Sequence, residues 1–144
     1  MKFAKAVMAF SLPALMTSCN TGPQPLKPGV DNCYFCKMTI SDVRFGAELV
    51  TRKGKIYKFD DSRCMVDFLK TKDVETKDIN GMYLTNYSGT HQLINVNNAL
   101  LLKAEELRSP MGGNVAAFDD RDSLQTIQKR FNGKTITWSS LYKP

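Results

Sequence analysis

The chain is poor in the residues that most sites for borderline metals rely on. His91 is its only histidine, and beyond Cys33 and Cys36 there is no second CxxC or CxxH pair. Structural zinc sites normally draw on two close ligand pairs, so this shortage argues against that class. Basic residues outnumber acidic ones, 20 to 14, but they are interspersed, as in KGKIYKFDD and KDVETKDIN. No basic block interleaves with aromatics, which gives a solvated surface and no nucleic-acid partner. Past the first residues there is no apolar run near the ~20 residues that a membrane-spanning helix needs.

What is present begins with a targeting pattern. Lys2 and Lys5 open the chain, Ala6 to Leu15 is mostly apolar, and Thr17-Ser18 supplies small residues before Cys19. Residues 1–18 therefore read as an export signal. Leu15-Met16-Thr17-Ser18-Cys19 resembles a bacterial lipoprotein cleavage box, which implies cleavage before Cys19 and lipid on its sulfur. The following segment, through residue 32, contains three prolines and two glycines and has no periodic apolar face, so residues 19–32 are expected to form a flexible tether.

The rest of the chain repeats a pattern. Gly54 to Asp61 runs through a short strand-like stretch into Phe59-Asp60-Asp61 and then a helix; Gly113 to Asp120 does the same, ending Phe118-Asp119-Asp120. Carboxylates suit a helix start, where they accept backbone N–H bonds and meet the positive dipole end, so capping accounts for both acid pairs. Met65, Phe68 and Leu69 share one helical face, as do Leu124, Ile127 and Phe131. Strands are expected at Ala47–Arg52 and Met82–Tyr87 around the first motif, and at Leu100–Ala104 and Thr135–Trp138 around the second. The expectation is an α+β fold of two similar ββαβ units, residues 33–90 and 91–144, arising by internal duplication.

Sulfur supplies the chemistry. Thiolates and thioethers are soft ligands that select Cu(I), or zinc where several thiolates gather. Cys33, Cys36 and Met38 fall in CYFCKM, with Cys36 and Met38 on the same side if that segment is extended. Cys64 and Met65 sit at the first helical turn, where the dipole favours thiolate, though both also suit a buried apolar face. Met111 lies in the loop Ser109-Pro110-Met111-Gly112-Gly113, where the two units could face each other. If Cys19 carries lipid, three thiols remain, an odd number that fits a metal or redox site better than a disulfide framework.

These segments together resemble the NosL family, lipoproteins that serve as copper chaperones for nitrous oxide reductase. The resemblance rests on Cys33-Tyr34-Phe35-Cys36-Lys37-Met38, on Lys55 to Met65 with its Phe-Asp-Asp and Cys-Met, and on Ser109 to Gly113. It implies two ββαβ units, Cu(I) bound by cysteine and methionine sulfur, and delivery to the reductase with its assembly factors. The protein would stand on the cell-envelope membrane by a lipid at Cys19, facing the periplasm, and would catalyse no reaction. The family often has glycine where Lys37 stands.

The expected ligand set is Cys33, Cys36, Met38, Cys64, Met65 and Met111. Two rivals use the same residues: a lipoprotein thiol–disulfide oxidoreductase working through Cys33 and Cys36, and a zinc module combining Cys33, Cys36 and Cys64 with His91. The CxxC follows a proline-rich stretch and precedes a strand, unlike the strand-to-helix setting of thioredoxin-like enzymes.

Overall fold

The computed structural model describes residues 22–144, so the signal segment and Cys19 lie outside the described residues. Among the described residues, seven strands form two antiparallel sheets. The first has order β2-β1-β3-β4, built from β1 (Ala47–Thr51), β2 (Ile56–Phe59), β3 (Ile79–Thr85) and β4 (Leu93–Asn95). The second has order β6-β5-β7, from β5 (Leu100–Lys103), β6 (Val115–Phe118) and β7 (Lys134–Ile136). Helix α1 (Ser62–Thr71) follows β2, α2 (Arg121–Phe131) follows β6, and the short α3 (Trp138–Leu141) closes the chain. The fold is α+β, and the order strand, strand, helix, strand occurs in each half.

Local chemistry explains the elements. Asp61 caps α1 by accepting the Arg63 N–H at 2.9 Å, and Asp120 caps α2 by accepting the Ser123 N–H at 2.8 Å. Each carboxylate satisfies an orphan donor of the first turn. The helices stop at Lys72 and Asn132, both in the left-handed conformation. The β1–β2 hairpin turns at Gly54, whose φ of 80° suits a residue without Cβ. Helix α1 buries Met65, Phe68 and Leu69 against Leu49 and Phe59 of the first sheet. Leu101, Val115 and Ala117 of the second sheet belong to that same core, so the halves share one interior. Phe118, Leu124 and Leu107 pack with Phe45 in a second cluster. A parallel bridge between Asn86 and Ala117 links the sheets, with the Tyr87 N–H donating to Ala117 O at 2.8 Å.

Three features differ from expectation. Residues 22–32, expected within the tether, lie on the first sheet: the Gln24 N–H donates to Glu48 Oε1 at 2.9 Å, Lys58 pairs with Asp31 at 2.7 Å, and Leu26 packs on the core. These contacts come from distant residues and leave no local apolar period to read. β4 falls after the division expected at 90, yet it pairs with β3 and extends the first sheet. The strand expected through Trp138 ends at Ile136, and Trp138 opens α3.

Candidate metal centre

The site is assembled from a hairpin knuckle, the end of β2 and the first turn of α1. Asn32 and Thr39 pair across the knuckle, the Cys33 N–H donates to Met38 O at 2.8 Å, and the Lys37 N–H donates to Cys33 O at 2.9 Å. The Tyr34 N–H donates to Lys58 O at 2.7 Å, fastening the knuckle to the edge of β2. An otherwise open sheet edge is thereby covered. Lys37 adopts φ 67°, the left-handed region, at the position where glycine is common in the resembling family. Its ammonium reaches back to the Tyr34 carbonyl and lies 4.2 Å from the Tyr34 ring centroid.

This brings Cys33, Cys36, Cys64 and Asp60 together, their Sγ and carboxylate oxygen atoms all within 4.8 Å of one another. A tetrahedral ion ~2.3 Å from each sulfur would hold its ligands ~3.8 Å apart, so a small contraction suffices to close the cluster. All three thiols are free. Cys33 and Cys64 are buried and Cys36 is half-buried. The Cys36 thiol donates to both Asp60 oxygens, at 3.6 and 3.7 Å. Burial pushes the Cys33 thiol upward, and burial, with Cys33 and Asp60 close by, pushes the Cys64 thiol upward too. Both resting thiols thus keep their protons, and a soft cation must displace them to bind. The helix dipole, which was expected to favour thiolate at Cys64, is outweighed in the metal-free protein.

Asp60 is the residue that sequence reasoning missed. Capping was assigned to both acids of the pair, but only Asp61 caps α1; Asp60 turns to the thiols. The available signal was its spacing of one helical turn before Cys64. Asp61 has a second task. Its buried carboxylate also accepts from Ser109 Oγ at 2.5 Å, the Met111 N–H at 3.0 Å and the Gly113 N–H at 3.3 Å. The loop bearing Met111 is therefore clasped to the helix that carries Cys64.

The methionines are placed unequally. Met111 is half-buried and, like Cys36, packs on the core that contains Cys33 and Cys64. Met65 is wholly buried in that core. Met38 is 56% exposed; the left-handed Lys37 breaks the alternation that would align it with Cys36 on an extended strand. His91 contacts the Asn86 carbonyl through Nδ1 at 2.9 Å, in the loop before β4, and is not part of the cysteine cluster.

The NosL family profile matches residues 26–143. The chain belongs to the NosL family. Its fold resembles the crystal structure of the copper chaperone NosL from Shewanella denitrificans, with a TM-score of 0.69, 18% identity, and coverage of 85% of this chain and 97% of that one. No curated protein matches the chain. At that identity the structural likeness carries the NosL fold, and the chemistry rests on the residues present. Three gathered thiols beside a carboxylate suit a thiophilic cation; two of them stand on the knuckle and the third in the first turn of α1.

Proposed function

We propose that this NosL-family protein is a carrier of Cu(I), holding the ion between Cys33, Cys36 and Cys64. The observation that carries the reading is the convergence of three free thiols from two separate segments within 4.8 Å. Cu(I) accepts two or three sulfur ligands. Leaving Asp60 aside, Cu(I) with two thiolates carries one negative charge and with three carries two, so the third thiol is better left protonated. Met38 at the surface and Met111 on the clasped loop are thioethers for the exchange steps, and Met65 stays in the core as packing. The resemblance supplies the client, nitrous oxide reductase with its assembly factors, and the location, a periplasm-facing membrane surface reached by a lipid on Cys19. No helix among the described residues is long and apolar enough to cross a membrane.

An anaerobic titration against a chromophoric Cu(I) chelator tests this. The wild type should bind one Cu(I) under reducing conditions, and Cys33→Ser and Cys36→Ser should each weaken it. A protein that leaves cuprous ion with the chelator while its thiols are titratable would refute the carrier. Asp60 favours a second reading: three thiolates and one carboxylate also make a tetrahedral set for zinc. A structural zinc site would make metal removal unfold the chain; the carrier should remain folded without metal, on the strength of its apolar interior.

A further inference from the structure

The large apolar side chains that stand exposed among the described residues are Val30, Tyr34, Phe35 and Met38, at 69%, 42%, 41% and 56%. Single exposed apolar residues are ordinary, but Tyr34, Phe35 and Met38 sit on the one knuckle that carries Cys33 and Cys36, and Val30 lies in the turn just before it. Cys33 and Cys64 are 0% and 2% exposed, whereas Cys36 is half-buried. An incoming ligand therefore reaches the cluster from the Cys36 side, between Phe35 and Met38 in the chain.

The surface is also shaped in advance. The Tyr34 ring stands edge-on to Tyr57, centroids 4.6 Å apart, and to Phe68 at 5.4 Å. Lys37 and Lys55 lie 4.2 and 5.6 Å from the Tyr34 ring centroid, so its face is bordered by two cations. Lys37 is the only charged residue between Cys33 and Ile40. The acid just before them, Asp31, is neutralised by Lys58 at 2.7 Å. The result is an apolar centre with a cationic edge, and the core residues Tyr57 and Phe68 hold its geometry.

We infer that this face of the knuckle is the docking surface for the protein that takes the copper. The acceptor's matching face is apolar and bordered by carboxylates, and it presents a thiolate or thioether toward Cys36. The inference deepens the carrier reading and rests on it. A protein partner fits better than a bilayer, because a lipid surface laid over these residues would seal the side from which a ligand enters. During transfer copper stays monovalent. Each copper–sulfur bond to this chain breaks as one to the acceptor forms, and each thiolate released here takes up a proton, from water or from an acceptor thiol that gives one up.

The test uses Cu(I)-loaded full-length protein, with copper-free nitrous oxide reductase and its assembly proteins as acceptors. Phe35→Ser and Lys55→Glu are compared with wild type. Both variants should hold Cu(I) as the wild type does against a small chelator. Phe35→Ser should slow transfer to the protein acceptor about tenfold, and Lys55→Glu should slow it similarly at low salt while flattening its salt dependence. Wild-type transfer rates in both variants, with Cu(I) binding intact, would overturn the docking surface and leave the carrier standing. The docking surface falls in the same way if the wild type holds Cu(I) yet serves these proteins no faster than the chelator. Loss of binding to phosphatidylcholine–phosphatidylglycerol vesicles by both variants, without an effect on transfer, would assign the patch to lipid and overturn it too. A wild type that binds no Cu(I) removes the carrier and this proposal together.

Discussion

The two halves share an outline and differ in what their paired acids do. In the first, Asp60 faces three thiols, and Asp61 caps α1 while clasping the Ser109–Gly113 loop. In the second, Asp119 accepts from the amides of Asn86 and Gln92, each at 2.7 Å, and Asp120 caps α2 in the open. Where the first helix has Cys64 the second has Ser123, and no cysteine-bearing knuckle lies beside it. One scaffold thus carries a cluster of thiols and a carboxylate in one half and an ordinary hydrogen-bonded corner in the other. The difference lies in what surrounds the shared Phe-Asp-Asp.

Removing the clasp is the strongest way to break this contrast. Asp61→Ala leaves buried donors from both halves unpaired and should lower the unfolding free energy by about 3–5 kcal/mol. Asp120→Ala removes a single exposed cap and should cost about 1 kcal/mol. Denaturant melts of the two variants check this, and equal losses would erase the distinction. Next in size is the thiol itself. Cys64→Ser should weaken Cu(I) by about 100-fold, near the top of what loss of a mere supporting group does. Ser123→Cys should bind no additional copper in the same chelator competition.

Proton release sharpens the comparison further. Because Cys33 and Cys64 hold their protons, apparent Cu(I) affinity should climb with pH, by about tenfold per unit for each thiolate formed. The metal-free fold should show the opposite trend. Both thiols titrate above their ordinary 9.0 in the folded chain, so the folded state binds more protons than the unfolded one at alkaline pH. Their contribution is whole below about pH 9 and fades as pH rises beyond it. Melting temperature against pH should therefore drop on the alkaline side in the wild type and less in Cys64→Ser. The smallest effect concerns the aligned glycines. Gly54→Ala puts a Cβ at φ 80° and should cost about 1 kcal/mol. Gly113 has no positive φ, but a Cβ there would run into the Asp61 carboxylate and the Arg63 side chain. Gly113→Ala should accordingly disturb the clasp and cost more than Gly54→Ala in the same melts.

Much of this fold could be read in the chain. The helix spans expected at Ser62 and Arg121 hold because both have a capping acid and an apolar face of the right period. The first strands hold because Gly54 marks their turn. β4 escaped notice because Leu93–Asn95 is too short to show alternation, and what makes it a strand is its pairing with β3 across the loop 86–92. Asp60 was obscured by its own repeat: two identical acid pairs invite one explanation, and capping satisfies it. What separates Asp60 from Asp119 is Cys64 four residues on, where the second half has Ser123, and the tertiary position of the knuckle. The exposure of Met38 was hidden for a related reason, since a lysine gives no sequence sign of a left-handed backbone.

The clasp at Asp61 has a mechanical meaning. A single carboxylate ties the start of one helix to a loop of the opposite half, one residue from the acid that touches the thiols. The clasp couples the two sheets, so heat or denaturant should dissolve the cysteine cluster and the C-terminal half in one cooperative step.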